Sequence, residues 1–106
     1  MKPHDQQLLQ RLKAAIHSMN PEAEIILFGS RARGEATNNS DWDILILLDT
    51  DNVDRATERE YRNQVFHVEL ETGQPISTFV FSKQDWESKH SITPFYHNIK
   101  KEGVSL

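Results

Sequence analysis

Leu8, Leu9, Leu12, Ala15, Ile16 and Met19 recur at intervals of three and four along an otherwise polar segment. That spacing puts them on one face of a helix and predicts an amphipathic helix over residues 5–19. Asp5 is placed to cap its start, and Asn20-Pro21 stops the pattern. The short apolar run Glu24–Phe28 ends at Gly29 and reads as a buried strand. Ser30 to Ser40 carries Gly34 and closes on Asn38-Asn39-Ser40, which predicts a short helical turn followed by a loop. Asp41 to Leu48 predicts a second strand. Its inner part is apolar at every position, as in a strand covered on both faces.

Asp54 is a candidate cap for a third helical segment, in which Tyr61, Val65 and Val68 fall at i, i+4 and i+7. Phe66 and Leu70 flank that stripe, and Gly73 is placed to end the helix in a left-handed cap. Pro75-Ile76 to Phe81 is rich in β-branched and aromatic residues and predicts a third strand. Lys83 to Ser88 reads as a short helix. Thr93-Pro94 then starts a last one that should stop at Gly103. The order is helix, strand, short helix, strand, helix, strand, helix: a small sheet with helices packed on it.

Composition narrows the function. The 106 residues make one domain, 1–106, with room for one modest core. Acidic residues outnumber basic ones 16 to 12, which argues against a protein held on long nucleic acid by a basic surface. The absence of cysteine excludes disulfides, zinc–thiolate sites and thiol nucleophiles. Met1-Lys2-Pro3-His4-Asp5 lacks the apolar core of a secretory signal, and the longest apolar run, Ile44–Leu48, is far short of a membrane span. A soluble cytoplasmic protein is the expectation.

The candidate chemistry lies in Gly29-Ser30-Arg31-Ala32-Arg33-Gly34 and Ser40-Asp41-Trp42-Asp43. Asp41 and Asp43 are two apart on a strand, so their side chains share a face, with Cα atoms roughly 6.5–7 Å apart. Such a pair repels unless a cation lies between its members, and Mg²⁺ suits one or two carboxylates plus substrate phosphates. Gly29 lets backbone approach a ligand closely. The amides of Ser30 and Arg31 open a helical turn, where an anion is favoured. The Ser30 hydroxyl, Arg31 and Arg33 add donors and positive charge for phosphate, and Ser40 is the remaining polar candidate for a nucleotide. Each feature alone is commonplace. Together, an acidic pair at the mouth of an apolar strand serves no folding purpose and costs stability. Trp42, between the aspartates, points to the opposite face and reads as core.

Gly29-Ser30, ten intervening residues and Asp41-x-Asp43 match the nucleotidyltransferase signature. The string GSRARGEATNNSDWDILILL resembles the minimal nucleotidyltransferases of the DNA polymerase beta-like superfamily, of the antitoxin (MntA-like) type. The closing Asn98-Ile99-Lys100-Lys101-Glu102-Gly103 is similar to the ending of such proteins. The resemblance implies an α+β fold like the polymerase beta palm, a small mixed β-sheet with flanking helices. It implies that Gly29 and Ser30 hold a triphosphate and that Asp41 and Asp43 bind Mg²⁺ and carry catalysis. The implied reaction moves a nucleoside monophosphate, AMP from ATP, to an acceptor hydroxyl. The implied partner is a helical HEPN-type toxin; self-association into a homo-oligomer is left open. One position departs from the family pattern. The third carboxylate of active members aligns with Ser77, and a hydroxyl replaces it poorly as ligand or base. Glu69 and Glu71 are near in sequence but read as a solvated helix face. The alternative is therefore a catalytically impaired module that binds nucleotide or a partner.

Overall fold

The computed structural model describes residues 2–106; Met1, the first residue of the stretch read for a signal, lies outside them. The first helix, α1, spans Pro3–Met19. It starts two residues earlier than the expected span of 5–19, because Pro3 needs no N–H partner in the first turn. Lys2 is the N-cap residue and Asp5 lies within the first turn, so the expected Asp5 cap is corrected; its charge still suits that end of the helix dipole.

Strand β1 (Glu24–Phe28) leads through a one-turn helix α2 (Ser30–Arg33) and a loop into β2 (Trp42–Leu48). The expected strand begins one residue late: Asp41 is exposed just ahead of β2. Helix α3 (Arg55–Thr72) carries the chain to β3 (Ile76–Ser82), followed by α4 (Lys83–Ser88), α5 (Pro94–Glu102) and β4 (Val104–Ser105). Asp54 caps α3 by accepting from Thr57 N–H at 2.8 Å, and Gly73 ends it in the left-handed conformation, φ 70°. The sheet order is β3-β2-β1-β4, with β2 and β3 parallel and the other pairs antiparallel. This is the mixed sheet of an α+β fold.

Strand β4 is an addition to the sequence reading. Both its residues are exposed, so no alternation marks it. Backbone pairing of Leu27 with Val104 and Ile26 with Ser105 holds it. Gly103 makes the approach possible, since a Cβ there would lie 2.7 Å from Ile26 Cγ2 and 2.6 Å from the Ile99 carbonyl.

The register sorts the sheet into two faces. Ile25, Leu27, Trp42, Ile44, Ile46, Leu48, Ile76 and Val80 face α1 and α3, packing on Leu8, Leu12, Ile16, Tyr61, Val65 and Val68. Leu45 and Leu47 face the other way, onto Trp86 of α4 and Ile99 of α5. Burial on both sides explains why β2 reads as an unbroken apolar run. Asp43 shares the face of Leu45 and Leu47, beyond the end of that second cluster. Among the described residues, no helix is long and apolar enough to cross a membrane.

Candidate active site

Antiparallel pairing of β1 with β2 sets Phe28 opposite Asp43, so the chain turns away at Gly29 directly beside the Asp43 side chain. Gly29 has φ 77° and ψ −161°, a conformation essentially confined to glycine. A Cβ there would overlap the Asp43 carboxylate, with Asp43 Cγ at 3.1 Å and Cβ at 3.3 Å. The close approach expected of this glycine is thus made by a carboxylate of the chain itself.

Parallel pairing of β2 with β3 sets Asp43 beside Ser77. The Ser77 hydroxyl donates to Asp41 Oδ2 at 3.3 Å. Asp41, Asp43 and Ser77 therefore converge at one end of neighbouring strands. Asp43 is half-buried, and its carboxyl is pushed up from the usual aspartate range. Desolvation is the main cause, repulsion by Asp41 the next; Arg33 pulls it back down, and Glu102 pushes it up further.

The two arginines part company. Arg31 folds over the buried Trp42 ring, its guanidinium carbon 4.5 Å from the ring centroid, and donates from Nη2 to the Ser40 carbonyl at 2.9 Å. It thereby ties the loop to the face opposite Asp43. Its Nε and the Trp42 Nε1 are buried without a hydrogen-bond partner. Arg33 stays on the Asp43 side, donating from Nε to Glu35 at 3.2 Å and from Nη1 to Glu102 at 2.9 Å. Ser40 uses its hydroxyl within the loop, accepting from Thr37 N–H at 2.9 Å. Ser30 is half-buried at the first position of α2. A groove of about 1260 Å³ lies by this loop, lined by Leu8, Arg11, Arg31, Trp42 and Glu71 among others; neither aspartate lines it.

Comparison with known proteins adds to this geometry. The family described as the nucleotidyltransferase domain matches residues 9–102. The chain belongs to that family. Among solved structures, a toxin–antitoxin crystallised with AMP-PNP is similar over 91% of this chain and 69% of that one, at TM-score 0.65 and 18% identity. A Sulfolobus solfataricus protein described as a candidate nucleotidyltransferase aligns over 99% of this chain and 86% of that one, at TM-score 0.47 and 21% identity. No curated protein matches the chain.

In this nucleotidyltransferase domain the acidic pair fits a hard divalent cation: two carboxylates on one face, one half-buried and unfavourably charged, and neither hydrogen-bonded to a cationic side chain among the described residues. No cluster of three or more His, Asp or Glu able to hold a metal occurs among the described residues. A cation here would have to complete its shell with water and substrate oxygens. The nearby glutamates do not supply the third carboxylate. Glu69 is corrected from a solvated position: it is half-buried and accepts from Ile76 N–H at 3.3 Å, at the start of β3. Glu71 is exposed but paired with Arg11 across α1 and α3. His67 is exposed on α3, which packs on the other face.

Sequence reading missed Glu102. Its Oε2 accepts from Gly29 N–H at 3.0 Å as well as from Arg33. The available signal was a lone acidic residue in the last turn of a helix, following two lysines, where the helix dipole disfavours it.

Proposed function

We propose that the chain is a Mg²⁺-dependent nucleotidyltransferase that moves AMP from ATP to an acceptor hydroxyl on a partner protein, a helical HEPN-type toxin. The observation that carries this reading is the meeting of Asp41, Asp43 and Ser77 at one strand end, against Gly29 and on the side of Arg33. Asp41 and Asp43 would hold the Mg²⁺. When bound, that ion supplies charge neutralisation for the phosphates and for the negative charge that develops during transfer.

The chain's own groups position the rest. The Gly29–Arg33 turn lies beside the acidic pair and would take the triphosphate, with Arg33 as its cation and Ser30 as a hydroxyl donor. Arg31 braces this turn through Trp42 and Ser40. The acceptor oxygen attacks the α-phosphorus in line; the new P–O bond forms as the bond to the bridging oxygen breaks, and pyrophosphate leaves. The acceptor proton needs a base, and the Ser77 hydroxyl, already a donor to Asp41, is a poor one. General-base help is worth roughly 10²–10⁴-fold, so transfer should be slow.

That serine favours a second reading, in which the domain binds Mg–ATP or its partner without turnover. One experiment separates the two. The protein is incubated with Mg²⁺ and α-labelled ATP, with and without the protein encoded by the adjacent gene; the toxin–antitoxin neighbour motivates both the nucleotide and the partner. Label transfer abolished in Asp43→Asn supports the transferase. Calorimetric Mg–ATP binding without transfer leaves the binding module. Absence of both refutes the proposal.

A further inference from the structure

Glu102 stands on donors that the triphosphate would need. One of its oxygens, Oε2, accepts from Gly29 N–H and from Arg33 Nη1, at 3.0 and 2.9 Å. Its side chain is 20% exposed, against 65% for Glu35, the other carboxylate on Arg33. The placement carries two electrostatic costs. Glu102 is the last residue of α5, where the helix dipole disfavours a negative charge. Its charge also bears on Asp43 and raises that carboxyl. The local backbone is held without it, by buried Ile99, by the close approach at Gly103 and by β4 pairing with β1. What the side chain gains for these penalties is a pair of hydrogen bonds, one of them to a guanidinium, of the kind that phosphate oxygens also make.

We infer that Glu102 is a built-in anion that occupies the donors of Gly29 and Arg33 in the free protein and is displaced by the incoming triphosphate, so that it sets the affinity of the nucleotide site. This rests on the nucleotidyltransferase reading above. The exchange is substitution of one anion for another: the carboxylate leaves two donors, and phosphate oxygens take them. Its strength is the competition itself, so neutralising Glu102 should tighten nucleotide binding although it deletes an ion pair. Glu102→Gln keeps the shape and can still accept from Gly29 N–H, but it loses the charge that holds Arg33. Glu35→Gln removes the same charge from the other side of Arg33 without touching Gly29.

The test is calorimetric titration of the full chain with Mg–ATP, and separately with Mg–tripolyphosphate, for wild type, Glu102→Gln and Glu35→Gln. Glu102→Gln should bind both ligands roughly tenfold to hundredfold more tightly, the range set by a charged hydrogen bond. Glu35→Gln should gain less than about threefold, as an exposed pair does. If Glu102→Gln melts early, Glu102→Asp replaces it: the charge stays, the arm shortens, and affinity should still rise severalfold. Wild-type binding that is equalled or weakened in the Glu102 variants overturns this inference and leaves the nucleotidyltransferase reading standing. An equal gain in Glu35→Gln overturns it as a bulk charge effect. Absence of Mg–ATP binding in every protein, wild type included, is the different outcome that removes the function reading and this inference together.

Discussion

Gly29→Ala tests how tightly the turn and the acidic strand are built on one another. Two costs are visible. The backbone at φ 77° and ψ −161° is almost closed to any residue with a Cβ, at about 1–3 kcal/mol. The added methyl would also overlap the Asp43 carboxylate, and pushing that side chain aside from a paired strand costs a further ~1–3 kcal/mol. The sum is roughly 2–6 kcal/mol, which for a domain of this size lowers Tm by about 10–30 °C. Gly73→Ala is the control, because φ is 70° there and nothing lies within 4 Å of the new atom. It should cost only the left-handed backbone penalty, about 1–2 kcal/mol. Urea denaturation of Gly29→Ala, Asp43→Ala and the double variant closes a cycle. Removing the Asp43 carboxylate should recover the overlap part, a coupling of about 1–3 kcal/mol. Additive costs, or a Gly29→Ala cost no greater than that of Gly73→Ala, would refute the argument that Asp43 fills the space a side chain needs.

Burial and Asp41 raise the Asp43 carboxyl, so its charged form opposes folding. The stability that goes with the protonated carboxyl is fully present below the ordinary aspartate pKa and is lost as pH rises through the raised one. Asp43→Asn should therefore melt higher than wild type at neutral pH without metal, and Mg²⁺ should stabilise wild type more than the variant in thermal melts. Asp54 has the opposite sign: hydrogen bonding to Thr57 lowers it, so its support is present above the ordinary pKa and lost as pH falls. Asp54→Ala should lower Tm near neutrality, and the difference should vanish in acid. Ser77→Asp restores a carboxylate in register with Asp43. It should lower the metal-free Tm, tighten Mg²⁺ binding measured by titration, and raise label transfer by roughly 10²–10⁴-fold if a base is what the site lacks.

Features carried by side-chain pattern were readable in the sequence. The apolar run of β2, the stripe of α3, its Asp54 cap and the Gly73 stop each follow from side-chain chemistry acting locally, and the structure has them. The alignment of Ser77 with the acidic pair was also legible, and strand register realises it. Features carried by backbone bonds or by distant partners were not. β4 has two exposed residues and leaves no hydrophobic trace. Glu69 and Glu102 look like ordinary helix carboxylates until the N–H groups they accept from, on Ile76 and Gly29, are known. Arg31 and Arg33 read alike in the sequence, as two cations in one short motif. On a helical turn, residues two apart point roughly 200° from each other. One therefore meets Trp42 and the other meets Glu102.

The sequence distances inside the site have a kinetic consequence. Gly29 and Asp43 meet across neighbouring antiparallel strands, a short loop closure that a hairpin makes early. Ser77 reaches Asp41 from 36 positions away, after α3 has crossed over, and Glu102 reaches Gly29 from 73. Contacts of that span depend on the whole sheet being in place. Loop-closure cost alone therefore favours the Gly29–Asp43 contact forming before Glu102 reaches the Gly29 turn, an order that φ-values for variants of β2 and α5 would check. Detachment of the C-terminal helix and strand would therefore free the Gly29 and Arg33 donors while leaving the pairing of β1, β2 and β3 that holds Asp43 beside Ser77.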